Sequence, residues 1–284
     1  MTTDGPIQID LGAVLASKLG KRSRYIPRFL IRAIEKLICR DELNALLRSN
    51  HPRRGAAFCE GLLADLDVRL DVRDSDKLPQ SPRCIIVSNH PLGGLDGISM
   101  IAWLSRHYGG RNVHFVVNDL LMAVEPLTEC FVPINKHGAQ SRASASGLDT
   151  VLRGDDPVVI YPAGMVSRLG DDGTIADLKW RKTVINKAIE HKRDIVPVFF
   201  DGYNRMSFYR IARWRERLGL KFNFEQVLLP REFVRCRHAV FTLTCGAPVP
   251  WQSLKGGADA AREILQLREK VYSLATNQNE HGRK

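Results

Sequence analysis

The amino-acid sequence predicts an α/β fold, in which a mostly parallel sheet is flanked by helices and preceded by a helical segment. Short apolar runs rich in Val, Ile and Phe alternate along the chain with segments of helical periodicity. These runs are almost continuously apolar, which is typical of parallel strands buried on both faces. With 284 residues, of which 44% are hydrophobic, the chain is long enough to bury such a sheet.

The N-terminal part of the chain has helical periodicity. Apolar side chains recur three and four residues apart from Ile26 to about Arg48, and a second helix is predicted from Pro52 to Leu66. The first β-type run begins only at Val68. We therefore divide the chain into an N-terminal helical segment at residues 1–66, which we expect to associate with a membrane, and an α/β domain at residues 67–284.

The α/β domain alternates predicted strands with predicted helices. Strands are predicted at Val68–Val72, Cys84–Ser88, Val113–Val117, Phe131–Ile134, Val158–Tyr161, Ile195–Phe200 and Ala239–Cys245. Helices are predicted at Gly97–His107, Ala143–Leu152, Trp180–His191, Met206–Leu218 and Asp259–Leu274. A helix between successive strands is the connection that parallel pairing requires.

Targeting signals and cysteine usage favour a cytoplasmic protein. No stretch approaches the roughly 18 apolar residues of a membrane-spanning helix. Asp4 and Asp10 stand where a signal peptide would carry positive charge. The six cysteines are far apart and form no C-x-x-C pair, so we expect buried free thiols and neither a disulfide framework nor a zinc site.

The charge is strongly basic and concentrated in two stretches. The formal net charge is +11. Lys18 to Lys36 contains seven basic residues and one acidic residue, and Tyr203 to Arg237 contains nine basic and three acidic residues. Such a local excess indicates an anionic partner, which could be a phospholipid surface, an acidic carrier protein or a nucleic acid.

Both basic stretches carry apolar side chains between their arginines. Wound as helices, they alternate arginines with apolar side chains, such as Arg28 with Phe29, and Arg210 and Arg213 with Trp214. This combination is typical of helices that lie on anionic lipid. A helix that faces the protein core and has a solvated basic face is the alternative, and such a helix could also dock an acidic acyl carrier protein.

The segment from Cys84 to Met100, CIIVSNHPLGGLDGISM, carries the clearest chemical signal. A buried strand ends at Ser88, and a glycine-containing loop leads from His90 to Asp96 at the start of a helix. Open α/β sheets place their sites at such strand ends. A carboxylate that orients an imidazole makes it a general base for a hydroxyl group. The alternative is that Asp96 caps the helix and His90 is an ordinary loop histidine.

These residues resemble the glycerolipid and lysophospholipid acyltransferases, whose first signature is Asn-His followed by four residues and Asp. Here five residues separate His90 from Asp96. Within that superfamily, NHPLGGLDG is similar to the hemolysin-like branch associated with acylation of ornithine lipid and related aminolipids. The resemblance covers about residues 84–250 and implies that His90 and Asp96 are catalytic. It also implies that residues 67–284 form an acyltransferase domain.

Three further blocks of that superfamily are present in altered form. The second block pairs an aromatic residue with an arginine, and CFVPINKHGAQSR offers Asn135, Lys136 and Arg142. The third, usually Phe-Pro-Glu-Gly-Thr-Arg-Ser, reads YPAGMVSR, with Ala163 in place of Glu and Arg168 displaced by two positions. The missing Glu indicates an acceptor headgroup other than glycerol phosphate. The fourth is matched by Ile195 to Val198.

The resemblance implies an O-acyltransferase that moves a fatty acyl group from acyl carrier protein or coenzyme A to a lyso-lipid, with no metal or bound cofactor. His90 would deprotonate the acceptor hydroxyl. Among acceptors we favour lyso-ornithine or a related aminolipid, with lysophosphatidic acid as the alternative. The supporting residues fall into two groups. We expect Asn89 and the backbone near Gly164 to hold an oxyanion, and Asn135, Lys136, Arg142, Ser167 and Arg168 to bind the substrates.

Two other interpretations stay open. One is a non-catalytic basic module that binds membrane or nucleic acid, although the sequence has no recognised nucleic-acid motif and we expect no nucleic-acid partner. The other is an acyltransferase fold that has lost its activity, as Ala163 and the longer spacing from His90 to Asp96 could indicate. The leading expectation is a protein that is peripheral on the inner face of the cell membrane.

Overall fold

A computed structural model of the chain describes residues 8–9, 11, 20, 27–118, 122, 124–134, 147–220 and 223–276. Its strands are β1 (Arg69–Arg73), β2 (Cys84–Ser88), β3 (His114–Asn118), β4 (Phe131–Ile134), β5 (Val158–Ile160), β6 (Arg168–Leu169), β7 (Ile175–Ala176), β8 (Asp194–Asp201) and β9 (Val240–Cys245). Seven of these strands form one sheet in the order β1-β9-β8-β2-β5-β3-β4, and β6 and β7 form a separate hairpin.

Almost all neighbours in the large sheet run parallel. The exception is the antiparallel pair of β8 and β9. Every residue of β2 is buried, and Ile85, Ile86 and Val87 have no exposed surface. Such a strand must be covered on both faces, which is the reason for its continuous apolar sequence.

Helices cover both faces of this sheet. They are α1 (Arg28–Leu37), α2 (Arg40–Ser49), α3 (Gly55–Asp65), α4 (Leu95–His107), α5 (Thr183–Glu190), α6 (Met206–Arg217), α7 (Leu229–Arg235) and α8 (Ala260–Thr276), with a further helical stretch at 147–153. Ile86 and Val196 face a core that includes α3 and α4. Ile85 and Ile195 face a second core that includes α5 and α8. Successive strand residues thus enter opposite cores, as the pleat requires.

The predicted fold class is confirmed: the chain is an α/β protein with a mostly parallel sheet between helices. The seven predicted strands match observed strands to within one residue at each end. The single helix predicted from Ile26 to about Arg48 is instead two helices. Cys39 adopts a left-handed backbone with φ of 56° between α1 and α2, and this ends the first helix.

Besides short 3₁₀ turns, the sequence prediction missed a hairpin and a helix. The β6–β7 hairpin has two residues in each strand, which is too short to show an alternating pattern. The seven-residue helix α7 is similarly short. The division of the chain at residue 66 stays a prediction. In the structure, α3 packs on α4 and shares its core through Phe58 and Leu62.

None of the helices in the described part of the chain has the length and apolar character needed to cross a bilayer. All six cysteines are free thiols, as expected, and four of them are buried: Cys59, Cys84, Cys130 and Cys245. Burial raises the pKa of each thiol, to about 11 for Cys84 and Cys236 and to about 12 for Cys130 and Cys245.

Candidate active site

Three neighbouring strands end together at one edge of the sheet. β2 lies between β5 and β8 and is parallel to both. Their carboxyl ends therefore point the same way, and the segments that follow them meet: residues 89–94 after β2, 161–167 after β5 and 202–205 after β8. Open α/β sheets place their sites in this position.

The loop after β2 brings His90 against Asp96. Nδ1 of the imidazole lies 2.9 Å from Oδ2 of the carboxylate. The loop reverses at Gly93, whose φ of 79° favours glycine. A Cβ atom there would also approach Val166 to 2.5 Å, so no other residue fits. This reversal brings the two side chains together across the five intervening residues.

Asp96 is completely buried and accepts a set of directed hydrogen bonds. The N–H groups of Leu92, Gly94 and Gly97 donate to its oxygens at 2.9 to 3.0 Å. Burial alone would raise the pKa of this carboxyl. The charge of His90 and the hydrogen bonds outweigh that effect and lower the pKa below its usual range. The carboxylate is therefore ionised at neutral pH and can hold the imidazole in one orientation.

Asp96 does not occupy the cap position of the next helix. The N-cap of α4 is Gly94, and Asp96 lies in the first turn. Its carboxylate serves the preceding loop as well as the helix, because it accepts hydrogen bonds from both. The alternative interpretation, in which Asp96 is only a helix cap, therefore does not describe its contacts with the loop and with His90.

The imidazole of His90 is held from a second side by an aromatic ring. The ring of Tyr161, just after β5, stacks on it with centroids 4.0 Å apart and an angle of 20° between the planes. The His90 side chain keeps 17% of its surface exposed. Its Nε2 has no hydrogen-bond partner among the residues whose positions the structure gives. An imidazole with Nδ1 on a carboxylate and Nε2 free can act as a general base.

The main chain of His90 is bound to a buried carboxylate that the sequence analysis missed. Oδ1 of Asp177 accepts the His90 N–H at 3.1 Å and the Ser167 hydroxyl at 2.6 Å. Oδ2 accepts Nε1–H of Trp180 at 2.9 Å. Asp177 follows β7 in a stretch without periodicity, so no sequence signal marked it. Burial raises the pKa of its carboxyl above the usual range, although the donors act to lower it.

The two residues expected to hold an oxyanion, Asn89 and Gly164, form hydrogen bonds within the protein. The Asn89 amide pairs reciprocally with Phe200 on β8: Oδ1 accepts the Phe200 N–H at 2.8 Å, and Nδ2 donates to its carbonyl at 2.9 Å. The N–H of Gly164 donates to the carbonyl of Tyr161 at 2.9 Å and closes a turn. Gly164 would have to leave this partner to bind an oxyanion, whereas Asn89 keeps one amide hydrogen for another acceptor.

Ser167 and Arg168 lie next to the site and are also engaged within the protein. Ser167 ties its loop to His90, because its N–H donates to the His90 carbonyl at 2.9 Å. The guanidinium of Arg168 is buried and donates to Glu225 at 2.8 Å. Arg215 of α6 lies 2.9 Å from the same carboxylate. To bind a substrate anion, Arg168 would have to exchange or share Glu225.

Other predicted residues lie elsewhere. Asn135, Lys136 and Arg142 lie outside the described residues. Arg28 and Phe29 are on α1, where Phe29 is 74% exposed. Arg210, Arg213 and Trp214 are on α6, where Trp214 is 59% exposed and Arg213 pairs with Asp171 at 2.8 Å. These two helices therefore present both charged and apolar groups to solvent.

A cavity of about 470 Å³ lies between the β6–β7 hairpin and α6. Its lining includes Asp177, Leu178, Arg213 and Arg217. Arg217 is exposed, and none of the described acidic side chains pairs with it. The cavity adjoins the dyad through Asp177, which lines it and holds the His90 backbone.

One cluster of potential metal ligands occurs in the described residues, well apart from the dyad in the chain. It comprises Asp149, Glu190 and His191. The ammonium of Lys187 bonds to both Asp149 and Glu190, and His191 bonds to Asp149 at 2.9 Å. A cation of the protein itself thus already balances these carboxylates. The expectation that the reaction uses no metal or bound cofactor stays a prediction.

Comparison with known proteins relates the whole chain to one family. The model of a family described as Acyltransferase matches residues 13–281. The chain is 39% identical over 274 residues to a lyso-glycine lipid O-acyltransferase of Phocaeicola vulgatus, covering 96% of this chain and 98% of that protein. It is 38% identical over 274 residues to a protein of the same name from Bacteroides thetaiotaomicron, covering 96% and 100%.

Comparison with solved structures matches the chain to the 1-acyl-sn-glycerophosphate (LPA) acyltransferase PlsC from Thermotoga maritima. It is 13% identical to this chain, with a TM-score of 0.47, and the match covers 88% of this chain and 93% of that one.

Proposed function

The chain belongs to this acyltransferase family and is an acyltransferase, and we propose that it transfers a fatty acyl group from a thioester to the hydroxyl of a lyso-aminolipid. The observation that carries the proposal is the contact of 2.9 Å between His90 and the buried Asp96, with an Nε2 that has no partner among the described residues. The names of its relatives support the choice of acceptor class.

In the proposed reaction His90 is a general base and then a general acid. Nε2 accepts the proton of the acceptor hydroxyl while the hydroxyl oxygen attacks the carbonyl carbon of the thioester. Asp96 holds Nδ1–H and stabilises the imidazolium that results. The tetrahedral intermediate then collapses, the C–S bond breaks, and the proton on Nε2 passes to the leaving thiolate.

The intermediate needs donors for its negative oxygen. Besides the remaining amide hydrogen of Asn89, we propose the N–H groups of Met165 and Val166, which directly follow the Gly164 turn. Neither has an acceptor within the described part of the chain. Backbone donors fixed by a turn cost no reorganisation during the reaction, which makes them effective in this role.

The acceptor we favour is a lyso-lipid with an amino-acid headgroup. Lyso-glycine lipid is the first candidate because the relatives are named for it. Lyso-ornithine lipid is the second, and lysophosphatidic acid is the alternative. Glycine attached through its amino group leaves a free carboxylate. Ala163, which stands in place of the usual Glu, agrees with a headgroup other than glycerol phosphate.

We place the anionic headgroup in the cavity between the β6–β7 hairpin and α6. Arg217 lines this cavity and has no acidic partner among the described side chains. A guanidinium binds a carboxylate through two parallel hydrogen bonds. Lys136 and Arg142 stay proposed for anionic groups of the donor, which is acyl carrier protein or coenzyme A.

We further propose that α6 lies on the inner surface of the cell membrane, with α1 as a second contact. Met206, Arg210, Trp214 and Leu218 follow each other at intervals of four residues and are all exposed. This stripe, the α6 stripe, combines apolar anchors with a cation, as an anionic lipid surface requires. Asn204 connects this helix to the loop after β2, the catalytic loop. Its side-chain amide donates to the Pro91 carbonyl at 3.1 Å, and its backbone N–H donates to the hydroxyl of Tyr209 on α6 at 3.0 Å.

The test is acyl transfer by the purified protein and by His90→Ala, with lyso-glycine lipid, lyso-ornithine lipid and lysophosphatidic acid supplied separately. We expect the diacylated product from an aminolipid with wild type, and a loss of roughly 10²- to 10⁴-fold in His90→Ala. His238→Ala is the matched control, because His238 is exposed and pairs only with Asp67 among the described residues.

The acceptor series also separates the competing functions. Product from lysophosphatidic acid alone would replace the aminolipid assignment by the alternative. Full activity in His90→Ala would overturn the mechanism. If no acceptor gives product and the protein binds duplex DNA with steep salt dependence, the non-catalytic basic module is correct instead.

A further inference from the structure

A buried carboxylate outside the dyad joins three parts of the active site. Asp177 is only 6% exposed, and its two oxygens accept hydrogen bonds from the backbone of His90, the hydroxyl of Ser167 and the indole of Trp180. These donors belong to the loop after β2, the loop after β5 and the segment before α5. Asp177 therefore fixes the catalytic loop relative to both neighbours.

The backbone of Asp177 is itself anchored to α8. Its N–H donates to the Tyr272 hydroxyl at 2.8 Å, and its carbonyl accepts from Arg268 at 3.2 Å. The Arg268 guanidinium lies over the Tyr272 ring, 4.7 Å from its centroid. Because α8 packs on β8 and α5, the carboxylate is held by the body of the protein and is not carried along with the loop.

The burial of this carboxylate is costly. None of the described cationic side chains bonds to it, so three neutral donors alone compensate the loss of water. A neutral amide of the same size could not accept from all three donors, because its NH2 end would face one of them. Two of these donors lie on His90 and on Ser167, whose N–H also bonds to the His90 carbonyl, so the position of the His90 main chain depends on this carboxylate.

We propose that Asp177 is a positioning residue for acyl transfer, which holds the main chain of His90 so that Nε2 meets the acceptor hydroxyl at the productive distance. The proposal rests on the general-base role of His90 given above. Asp96 orients the imidazole through Nδ1, and Asp177 fixes the backbone from which the imidazole projects. One carboxylate thus holds the backbone of His90, and the other holds its imidazole ring.

The test begins with Asp177→Asn. An asparagine has the same size, but one end of its side chain is an NH2 group, which donates. This NH2 group must face either the Trp180 indole N–H or the His90 and Ser167 donors, so one of the present hydrogen bonds is lost. We expect kcat to fall by roughly 10- to 100-fold, because a displacement of about 1 Å at the reacting group costs up to roughly 10² in rate. The KM values of donor and acceptor should rise by less than about threefold, because Asp177 lines the headgroup cavity but its oxygens are occupied by His90, Ser167 and Trp180.

Two milder variants keep the proposal testable if Asp177→Asn does not fold. Ser167→Ala removes one donor to Oδ1 and leaves the carboxylate in place. Trp180→Phe removes the donor to Oδ2, which lies on the side away from His90. We expect a larger loss of kcat from Ser167→Ala than from Trp180→Phe. The matched control is Asp149→Asn, because Asp149 is also a partly buried carboxylate that pairs with a histidine, yet lies away from the site.

A second readout does not depend on turnover. The rate at which diethyl pyrocarbonate modifies His90, measured by peptide mass spectrometry, reports the environment of Nε2. We expect Asp177→Asn to change this rate at His90 and to leave the rate at His238 unchanged. If wild type showed no acyl transfer at all, this measurement would still test Asp177, so that the two proposals can fail separately.

Two outcomes would overturn the proposal. One is an Asp177→Asn protein with unchanged kcat and an unchanged rate of His90 modification. The other is a fall in kcat that equals the fall in the folded fraction, measured by circular dichroism, because that result would make Asp177 a purely structural residue.

Discussion

The stacked pair of His90 and Tyr161 gives the active site a flat aromatic support. The Tyr161 ring lies 4.0 Å from the imidazole and makes an edge contact with Phe115 at 5.0 Å. Its hydroxyl is buried and has no hydrogen-bond partner among the described residues. Burial raises the pKa of this hydroxyl well above its usual range, so the group stays neutral. The ring, and not the hydroxyl, is therefore the functional part of the side chain.

Substitution of Tyr161 tests whether the ring or the hydroxyl is the functional part. Tyr161→Phe keeps the ring and removes the unpartnered hydroxyl, so we expect kcat within about twofold of wild type and an equal or higher midpoint of thermal unfolding. Tyr161→Leu removes the flat surface and should lower kcat by about 3- to 10-fold, in line with the roughly 0.5–1.5 kcal/mol of an aromatic pair. Equal losses in the two variants would assign the effect to the hydroxyl instead. Steady-state kinetics and thermal unfolding of the purified variants are sufficient.

The extent to which the sequence predicts this site varies from residue to residue. Only five residues separate His90 from Asp96, and a strand, two glycines and a helix around them define the loop. Asp177 is 87 residues from His90. Its role depends on a hairpin that is too short to show periodicity, so only the folded chain brings the two together. Tyr161 was missed because in sequence it is simply the last residue of an apolar run, and only the folded chain brings it against His90.

At the level of elements, α6 has two distinct sides. Phe208, Tyr209 and Ala212 are buried, and Arg215 reaches the buried Glu225. On the opposite side, the α6 stripe exposes 43% of Met206, 59% of Trp214 and 53% of Leu218. A solvated polar face would not need three large apolar groups. The helix thus combines a core-facing side with an apolar outer side, and this favours contact with lipid over simple solvation.

The α6 stripe can be tested with vesicles. We expect Met206→Ser/Trp214→Ser to weaken binding to vesicles that contain phosphatidylglycerol by about tenfold or more, because each change removes a large anchor from the interface. Leu265→Ser is the matched control, since Leu265 is 52% exposed on α8. Co-sedimentation measures binding directly. Equal binding by wild type, the double variant and the control would exclude this surface.

The whole molecule adds a long-range electrostatic contribution. A net charge of +11 concentrated in two stretches attracts an anionic surface before any side chain inserts. We expect vesicle binding to fall steeply when the ionic strength rises from about 0.05 M to about 0.5 M, where the screening length drops to a few ångströms. Turnover of acceptor dispersed in neutral detergent should change little over the same range. Salt-independent binding would show that insertion alone, and not charge, holds the protein to the bilayer.

The fold class follows from the sequence because parallel strands leave a local signature. The central residues of β2, β5 and β8 are largely buried on both faces, so each strand has a continuous apolar run, although β8 begins and ends with an aspartate. The strand order leaves no such signature, because it depends on contacts between distant segments. The antiparallel pairing of β8 with β9, and the insertion of β9 between β8 and β1, could not be read from periodicity. The break at Cys39 was equally hidden, since apolar spacing continues across it.

The buried thiols have a practical consequence for assays. Transfer of an acyl group from a thioester releases a thiol, and a disulfide chromogen turns that release into a continuous absorbance signal. Such reagents react with thiolates, whose fraction at neutral pH falls as the pKa rises. All six cysteines of this protein have raised pKa values, and four of them are buried. The native enzyme should therefore give a low and stable background, against which the liberated carrier can be followed in real time.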